Sequence, residues 1–309
     1  MNPAELLDRR FRKRRHFPRN FQPVRKQTPA DWGIGMTVCI AAIAGPNANP
    51  RIVAVSDFML SNDTVSFDTQ TLKCQPVSDS CKWFAFYAGD PSAWNAVFDA
   101  AVAAVRGSDE SAATVQAAFE AAFRKELKHK IEGELLSSFG LDRDTFIQHG
   151  REYFGQERFN TLLDEVRAAA LEMDVLVAGF DREGWPHIFS VSDPSIVENH
   201  NNIRFHVVGT GAVLAESALC ASYDPSLNVH ALAYRLCEAK FLAEPASGVG
   251  AKTFVIVIAP DGTHQVMYPE HVEELRGIWK REGRPSIPTS AIAKIQERLV
   301  PIKEWRGHK

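Results

Sequence analysis

The sequence predicts an α+β fold built on antiparallel strands. Apolar runs joined by short turns occur in both halves of the chain, which is typical of antiparallel hairpins. Between them, residues 109–172 have the spacing of apolar side chains that is typical of amphipathic helices. The chain has 309 residues, of which 45% are hydrophobic, so it is long enough to bury a full core as one or two domains.

The first hairpin is predicted directly after Met36. An apolar run begins at Thr37, and a second apolar run over residues 51–57 follows a turn rich in Gly, Pro and Asn. This hairpin would return Asp57 close to Thr37. If Met36 is removed, Thr37 carries a hydroxyl and a free amine on one residue. Such an amine has an unperturbed pKa of about 7.7–8.0, so it can accept the hydroxyl proton near neutral pH.

A lysine and a glycine further along the chain complete a candidate site. Lys73 follows Asp57 in the sequence, and a lysine beside a threonine hydroxyl stabilises the deprotonated hydroxyl. Asp57, paired with this lysine, would keep it charged and directed at the hydroxyl of Thr37. The next apolar run, residues 83–90, contains Gly89, where the backbone can approach a substrate closely enough to donate an N–H to an oxyanion.

The middle of the chain is predicted to be helical, and the remainder to return to strands. Two amphipathic segments, about 109–138 and 142–172, are separated near Gly140. Apolar runs then predict a second hairpin over 174–191 and a last core strand over 253–258.

The ordered set Thr37, Asp57, Lys73 and Gly89 resembles the threonine, aspartate, lysine and oxyanion glycine of proteasome β-type subunits, which are N-terminal-nucleophile (Ntn) hydrolases. The Met-Thr-x-Cys opening resembles the Anbu-type bacterial proteasome homologues. The resemblance covers roughly residues 36–262. It implies a four-layer αββα sandwich, in which two stacked antiparallel sheets have helices on both outer faces.

Three residues in the second half of the chain extend the resemblance. Residues 205–211 resemble the family's Gly-Ser-Gly turn, and residues 244–248 resemble its Asp-x-x-Ser segment. If the family's roles apply at these positions, Thr210, Glu244 and Ser247 would hydrogen-bond the terminal amine of Thr37 and position it. Threonine replaces serine at 210, which keeps the hydroxyl. Glutamate replaces aspartate at 244, which keeps the charge but lengthens the reach by one methylene.

The resemblance implies a threonine-type amide hydrolase in which Thr37 is the nucleophile and peptides or proteins are the substrates. Two alternatives stay open: a small-molecule amidase of the same superfamily, and a non-catalytic scaffold in which Thr37 stays internal. A homo-oligomer such as a ring is expected, and an ATPase partner is unknown. No metal or organic cofactor is implied. The ten histidines show no metal-ligand spacing, and the five scattered cysteines indicate reduced thiols.

Three regions are predicted: a basic extension over 1–35, an Ntn-hydrolase domain over 36–262 with a helical insertion at about 109–172, and a helical tail over 263–309. The insertion is expected to serve packing or oligomer contacts. The first 26 residues contain nine Arg and Lys but two acidic residues, and too few apolar residues to fold alone. They are interpreted as a propeptide, as a tail for nucleic acid or an anionic surface, or as an untranslated stretch upstream of a start at Met36.

The sequence also predicts where the protein resides. No apolar run is long enough to span a bilayer, and no signal-peptide pattern is present. We therefore expect a cytoplasmic protein without a membrane partner and, apart from the tail interpretation of the basic extension, without a nucleic-acid partner.

Overall fold

Two five-stranded antiparallel sheets form the centre of the structure, a computed structural model that describes residues 37–45, 49–61, 66–68 and 72–283. The first sheet contains, in spatial order, Phe205–Val208 (β10), Cys39–Ala44 (β1), Arg51–Asp57 (β2), Thr253–Ile258 (β11) and His264–Met267 (β12). The second contains Cys74–Pro76 (β5), Trp83–Gly89 (β6), Met173–Phe180 (β7), Pro186–Ser192 (β8) and Ile196–Asn199 (β9). A small separate hairpin pairs Met59–Ser61 (β3) with Ser66–Asp68 (β4). The predicted basic extension over 1–35 and residues 284–309 of the predicted tail lie outside the described residues.

The first predicted hairpin is confirmed. Strand β1 pairs with β2 in a register that places Cys39 opposite Ser56 and Ala44 opposite Arg51. On its other side, β2 pairs with β11, so that Asp57 lies opposite Thr253. The end of β2 is therefore fixed from both sides within the sheet.

The helices begin where polar side chains cap them. They are Pro91–Val105 (α1), Ala112–Lys130 (α2), Arg143–Phe154 (α3), Gln156–Ala168 (α4), Ala212–Ser222 (α5), Val229–Ala243 (α6) and Pro269–Ile278 (α7). Side chains at the caps accept backbone N–H groups of the first turn at four of these helices: Asp90, Ser111, Asp142 and Asn228. The predicted helix over 142–172 is instead two helices, because the chain turns at Gly155. Within the described residues, none of the helices is long and apolar enough to cross a bilayer.

Buried apolar side chains lie in three layers, which gives the four-layer αββα sandwich that the resemblance implies. Strand β1 alternates: Cys39, Ala41 and Ile43 face the second sheet, and Ile40, Ala42 and Ala44 face helices α5 and α6. The second sheet packs its opposite face on helices α1 to α4, as the ring contact between Phe119 and Phe189 at 6.3 Å illustrates. The helical segment that the sequence predicts as an insertion thus covers the second sheet.

The first sheet continues beyond residue 262, where the sequence predicts the end of the Ntn domain. Strand β12 pairs with β11 and places Met267 opposite Val255. Helix α7 follows and buries Val272 and Arg276. The chain therefore contributes a strand and a helix to the sandwich within the region predicted as a helical tail. The division into three regions stays a prediction.

Candidate active site

Three of the predicted site residues meet near the ends of strands β1, β2 and β5. Thr37 lies two residues before β1, Asp57 ends β2, and Lys73 directly precedes β5. The Thr37 hydroxyl donates to Asp57 Oδ1. The Lys73 ammonium donates to Thr37 Oγ1 and, at 2.9 Å, to Asp57 Oδ1. All three residues are buried, with exposed fractions of 0%, 0% and 2%.

Backbone groups hold the Asp57 carboxylate from its other side. Gly250 N–H donates to Asp57 Oδ2 at 2.9 Å, and Asp57 N–H donates to the Val38 carbonyl at 3.3 Å. A buried ion pair recovers its desolvation cost only when additional hydrogen bonds satisfy the remaining lone pairs. Both oxygens of Asp57 have such donors, so the carboxylate and the lysine are held in one arrangement.

The turn after β10 holds the backbone of Thr37. Thr37 N–H donates to Thr210 Oγ1 at 3.3 Å, and Gly211 N–H donates to the Thr37 carbonyl at 3.2 Å. Gly209 has φ +97°, and a Cβ there would lie 2.4 Å from the Thr37 carbonyl oxygen. A side chain at 209 would therefore displace Thr37, which explains glycine at this position.

Gly89 lies at the end of β6. Its φ is +123°, and a Cβ there would lie 2.2 Å from the Glu172 carbonyl oxygen. Cys39, two residues after Thr37, donates its S–H to the carbonyl of Tyr87, two residues before Gly89, at 3.4 Å. This contact joins the start of β1 to the end of β6, the part of the site where the sequence predicts the oxyanion donor.

Ser247 and Glu244 have different neighbours in the structure. The Thr210 hydroxyl donates to the Ser247 carbonyl at 3.1 Å, which links Ser247 to the turn that holds Thr37. In the described part of the chain, Glu244 pairs with Lys240 and Arg276. The structure therefore places Glu244 in an ion-pair network, and the predicted contact with the terminal amine of Thr37 is not among its described contacts.

Cys39 is a second nucleophile type close to Thr37, but its environment opposes ionisation. Burial raises the pKa of the Cys39 thiol far above its ordinary value, and the nearby charge of Lys73 only partly opposes this effect. A thiolate is the nucleophilic form of cysteine. Cys39 therefore stays a protonated core thiol at neutral pH, and the hydroxyl of Thr37 is the candidate nucleophile.

Comparison with known proteins identifies a solved structure with a similar fold and a curated relative with a similar sequence. No protein-family model matches the chain. The Anbu (Gly-1) mutant from Hyphomicrobium sp. strain MC1 has a similar solved structure, with a TM-score of 0.56 and 11% identity over 86% of this chain and 99% of that chain. Proteasome subunit beta 2 of Pyrobaculum neutrophilum is 40% identical over 88 residues, which are 27% of this chain and 40% of that protein. The chain shares the fold of Anbu and is related to a proteasome β subunit. It spans about two fifths of the length of this curated relative.

The fold brings two further charged residues to the site that the sequence reasoning missed. Lys240 on α6 is fully buried, and Arg276 on α7 is 5% exposed. Both contact the backbone next to Gly250, the donor to Asp57. One sequence signal was available for the first of them, because Lys240 and Glu244 have the i,i+4 spacing of a helical ion pair.

Among residues 37–45, 49–61, 66–68 and 72–283, no group of three or more His, Cys, Asp or Glu side chains could hold a metal ion. The groups around Thr37 are an ammonium, a carboxylate, a hydroxyl and backbone amides, which suit proton transfer and oxyanion stabilisation.

Proposed function

We propose that this protein is a threonine-type amide hydrolase whose nucleophile is Oγ of Thr37, exposed as the chain terminus after loss of the preceding residues. Peptides or proteins are its proposed substrates. One observation carries the proposal: the Thr37 hydroxyl, the Asp57 carboxylate and the Lys73 ammonium form a closed, buried triangle of hydrogen bonds.

Each group in this triangle has a chemical task in the proposed reaction. The Thr37 oxygen attacks the carbonyl carbon of the scissile amide, and the α-amine of Thr37 accepts the hydroxyl proton. The Lys73 ammonium, held by Asp57, stabilises the oxygen as its negative charge develops. The α-amine then gives its proton to the leaving amine, which departs as the ester to Thr37 forms.

The backbone completes the proposed mechanism. The Gly89 N–H is the proposed donor to the oxyanion of the tetrahedral intermediate, since preorganised amides stabilise developing charge without reorganisation. Water, deprotonated by the α-amine, then attacks the ester and regenerates the Thr37 hydroxyl. Thr210 and Ser247 are proposed to position the terminal amine, because the turn that contains Thr210 contacts both backbone groups of Thr37.

The first test is the N-terminus of the protein purified from its native host. Intact mass and N-terminal sequencing should give a chain that begins at Thr37. The Thr37→Ala variant, prepared to begin at residue 37, should then lose hydrolysis of fluorogenic peptides by at least about 10³-fold. Thr37→Ser keeps the hydroxyl and the amine, so it should retain measurable activity. A native chain that begins only at Met1 would contradict the proposal.

The choice of substrate separates the proposed peptidase from the alternatives. Cleavage of peptides by the chain that begins at Thr37 supports the peptidase. Hydrolysis of simple acyl amides without cleavage of peptides would identify a small-molecule amidase that uses the same nucleophile. Failure with both substrate classes, together with an intact N-terminus, would indicate a non-catalytic scaffold.

We also propose that the protein forms a homo-oligomer. The support is its relation to a proteasome subunit, a protein named as part of an assembly. Size-exclusion chromatography with light scattering should give a mass that is a multiple of the 34.3 kDa of the full chain, less any residues lost before Thr37. A monomer at all concentrations would contradict this assignment.

A further inference from the structure

Lys240 is a buried lysine that the proposed mechanism does not use. It lies on α6 with an exposed fraction of 0%, in a helix that is otherwise apolar on this face. A lysine ammonium has three N–H donors. Those of Lys240 bind Glu244 Oε1, the Gly250 carbonyl and the Ala251 carbonyl, the last at 2.9 Å. A buried charge with all its donors used holds its acceptors in place.

Gly250 links this lysine to the candidate active site. Its carbonyl accepts from the Lys240 ammonium, and its N–H donates to Asp57 Oδ2 at 2.9 Å. The two hydrogen bonds lie on the same residue, so the position of one constrains the other. Asp57 in turn binds the hydroxyl of Thr37 and the ammonium of Lys73.

Helix α7 supports the same backbone segment from another direction. Arg276 donates to the Ala251 carbonyl at 2.7 Å and pairs with Glu244 Oε2. Its guanidinium also lies 4.2 Å from the centroid of the Phe241 ring, which fixes its plane. Burial lowers the pKa of the Lys240 ammonium, and the charges of Glu244 and Asp57 oppose this effect. Glu244 thus opposes the effect of burial on Lys240 and forms an ion pair with both cations.

We propose that Lys240 is a positioning residue for the hydrolytic site, which acts through the backbone of Gly250 on the carboxylate of Asp57. The inference rests on the proposed function of Thr37. In this arrangement Glu244 acts on the site through Lys240 and Arg276. The catalytic carboxylate is therefore held by a second cation that lies outside the triangle of Thr37, Asp57 and Lys73.

A double-mutant cycle with Asp57 tests whether Lys240 acts through that residue. Lys240→Met should lower kcat by about 10- to 100-fold and leave KM within about twofold, because it disturbs the reacting groups and not the binding surface. In an Asp57→Asn background, Lys240→Met should change kcat by less than about threefold. Effects that multiply fully in the double variant would overturn the proposal. Lys252→Met, which removes an exposed lysine two residues after Gly250, is the matched control and should leave kcat unchanged.

A second measurement does not depend on hydrolysis. Glycine-selective ¹⁵N labelling gives at most 19 amide signals, and a Gly250→Ala variant identifies the one from Gly250. In a Thr37→Ala background, both Lys240→Met and Asp57→Asn should move this signal. Lys240→Met removes the donor to the Gly250 carbonyl, and Asp57→Asn replaces the charged acceptor of the Gly250 N–H by a neutral amide. Lys252→Met should leave it in place. An unmoved Gly250 signal in Lys240→Met would refute the link.

The two measurements separate the failure of this inference from the failure of the proposed function. If the wild-type protein hydrolyses no amide, the proposed function falls, and the Gly250 signal alone decides whether Lys240 holds Asp57. If Lys240→Met does not fold, the paired variant Lys240→Met/Glu244→Gln removes the uncompensated carboxylate and takes its place in both experiments. Circular dichroism of each variant establishes folding first.

Discussion

Gly89 has a backbone conformation that other residues rarely adopt, next to the main chain of the neighbouring strand. A Cβ at this position would lie 2.2 Å from the Glu172 carbonyl oxygen and 2.6 Å from Met173 Cα, and both atoms belong to the backbone. The φ of +123° adds its own penalty for an L-residue. The position therefore requires glycine for structural reasons, whatever its amide does in the reaction.

We predict that Gly89→Ala destabilises the protein by about 2–5 kcal/mol, because the backbone of β7 must move to admit the methyl group. Gly133→Ala is the matched control. A Cβ at Gly133 has no atom within 4 Å, so its effect should be below about 1 kcal/mol, in the stabilising direction. Urea unfolding measures both free energies. Equal changes in the free energy of unfolding for the two substitutions would mean that the backbone at the start of β7 moves to admit the methyl group at little cost.

Asp174, the second residue of β7, is a carboxylate that the site does not use. It lies opposite Ala88 in the β6–β7 pair, next to Gly89. Burial, and to a smaller extent the charge of Asp193, raises the pKa of Asp174 from 3.8 to about 6. An acid with a raised pKa binds its proton more tightly in the folded state. Its contribution to stability is therefore present below pH 4 and is lost as the pH rises towards 6.

We predict that Asp174→Asn leaves the free energy of unfolding unchanged near pH 3.5 and increases it at pH 8 relative to wild type. The increase should be on the order of 1–3 kcal/mol, since the partial exposure of the side chain reduces the full effect of the shift. Asp79→Asn, at an exposed aspartate, is the control and should show no such pH-dependent gain. A gain that is constant across pH would trace the effect to packing instead of ionisation.

At the scale of secondary-structure elements, two stacked imidazoles connect the first sheet to the second. His206 on β10 stacks on His200, which follows β9, with ring centroids 3.5 Å apart and planes 5° from parallel. His200 Nε2 contacts the Ser190 hydroxyl of β8 at 2.9 Å, and His206 Nδ1 lies 3.9 Å from Glu216. Burial, followed by the charge of His200, lowers the pKa of His206 from 6.5 to about 4. Both effects favour the neutral form of the His206 ring.

We predict that acid weakens the fold through this pair. A histidine with a lowered pKa contributes stability above its unfolded value of about 6.5, and this contribution is lost as the pH falls towards 4. His206→Gln cannot take up that proton, so its free energy of unfolding should fall less than that of wild type between pH 7 and pH 4.5, by on the order of 2 kcal/mol. His271→Gln, at an exposed histidine, should follow the wild-type curve. Parallel curves for His206→Gln and wild type would exclude the pair as the source.

The elements that the sequence predicted well are those whose pattern is local. Apolar runs around a Gly/Pro/Asn turn predicted the β1–β2 hairpin and hence the approach of Asp57 to Thr37. Strand β12 was missed because it lies at the sheet edge, where three of its four residues are exposed and give no apolar pattern. The break at Gly155 was missed because both flanking helices continue the same amphipathic character.

The missed part of the candidate site depends on contacts between distant segments. The Asp57 carboxylate is held by a backbone amide 193 residues further along the chain, and backbone amides carry no residue type that could identify them. Lys240 was visible as a helical partner of Glu244, but its contacts with two carbonyls arise only when α6 packs on the first sheet. The family resemblance predicted a contact between Glu244 and the terminal amine. In the structure, tertiary packing gives Glu244 two cations as partners.

At the level of the whole molecule, the site draws on three of the four layers. Thr37 and Asp57 lie at the ends of strands of the first sheet, and Lys73 precedes β5 of the second sheet. Gly250 precedes β11, and the residues that hold this segment come from α6 and α7 in one outer helical layer. Helix α7 also covers core: Val272 is 1% exposed, and Trp279, directly after the helix, is 5% exposed. The part of the chain after residue 262 therefore contributes to both the core and the candidate site.

We predict that a chain truncated after residue 262 melts at least about 10 °C below a chain truncated after residue 283. Loss of β12 leaves β11 as an open edge, and loss of α7 uncovers buried apolar side chains and removes Arg276 from Glu244. The longer variant keeps every described contact of β12 and α7, which makes it the matched control. Thermal unfolding by circular dichroism, with light scattering to detect aggregation through the open edge, compares the two. Equal melting temperatures would mean that the domain ends at residue 262, as the sequence predicts. They would also contradict the proposal that α7 supports Asp57.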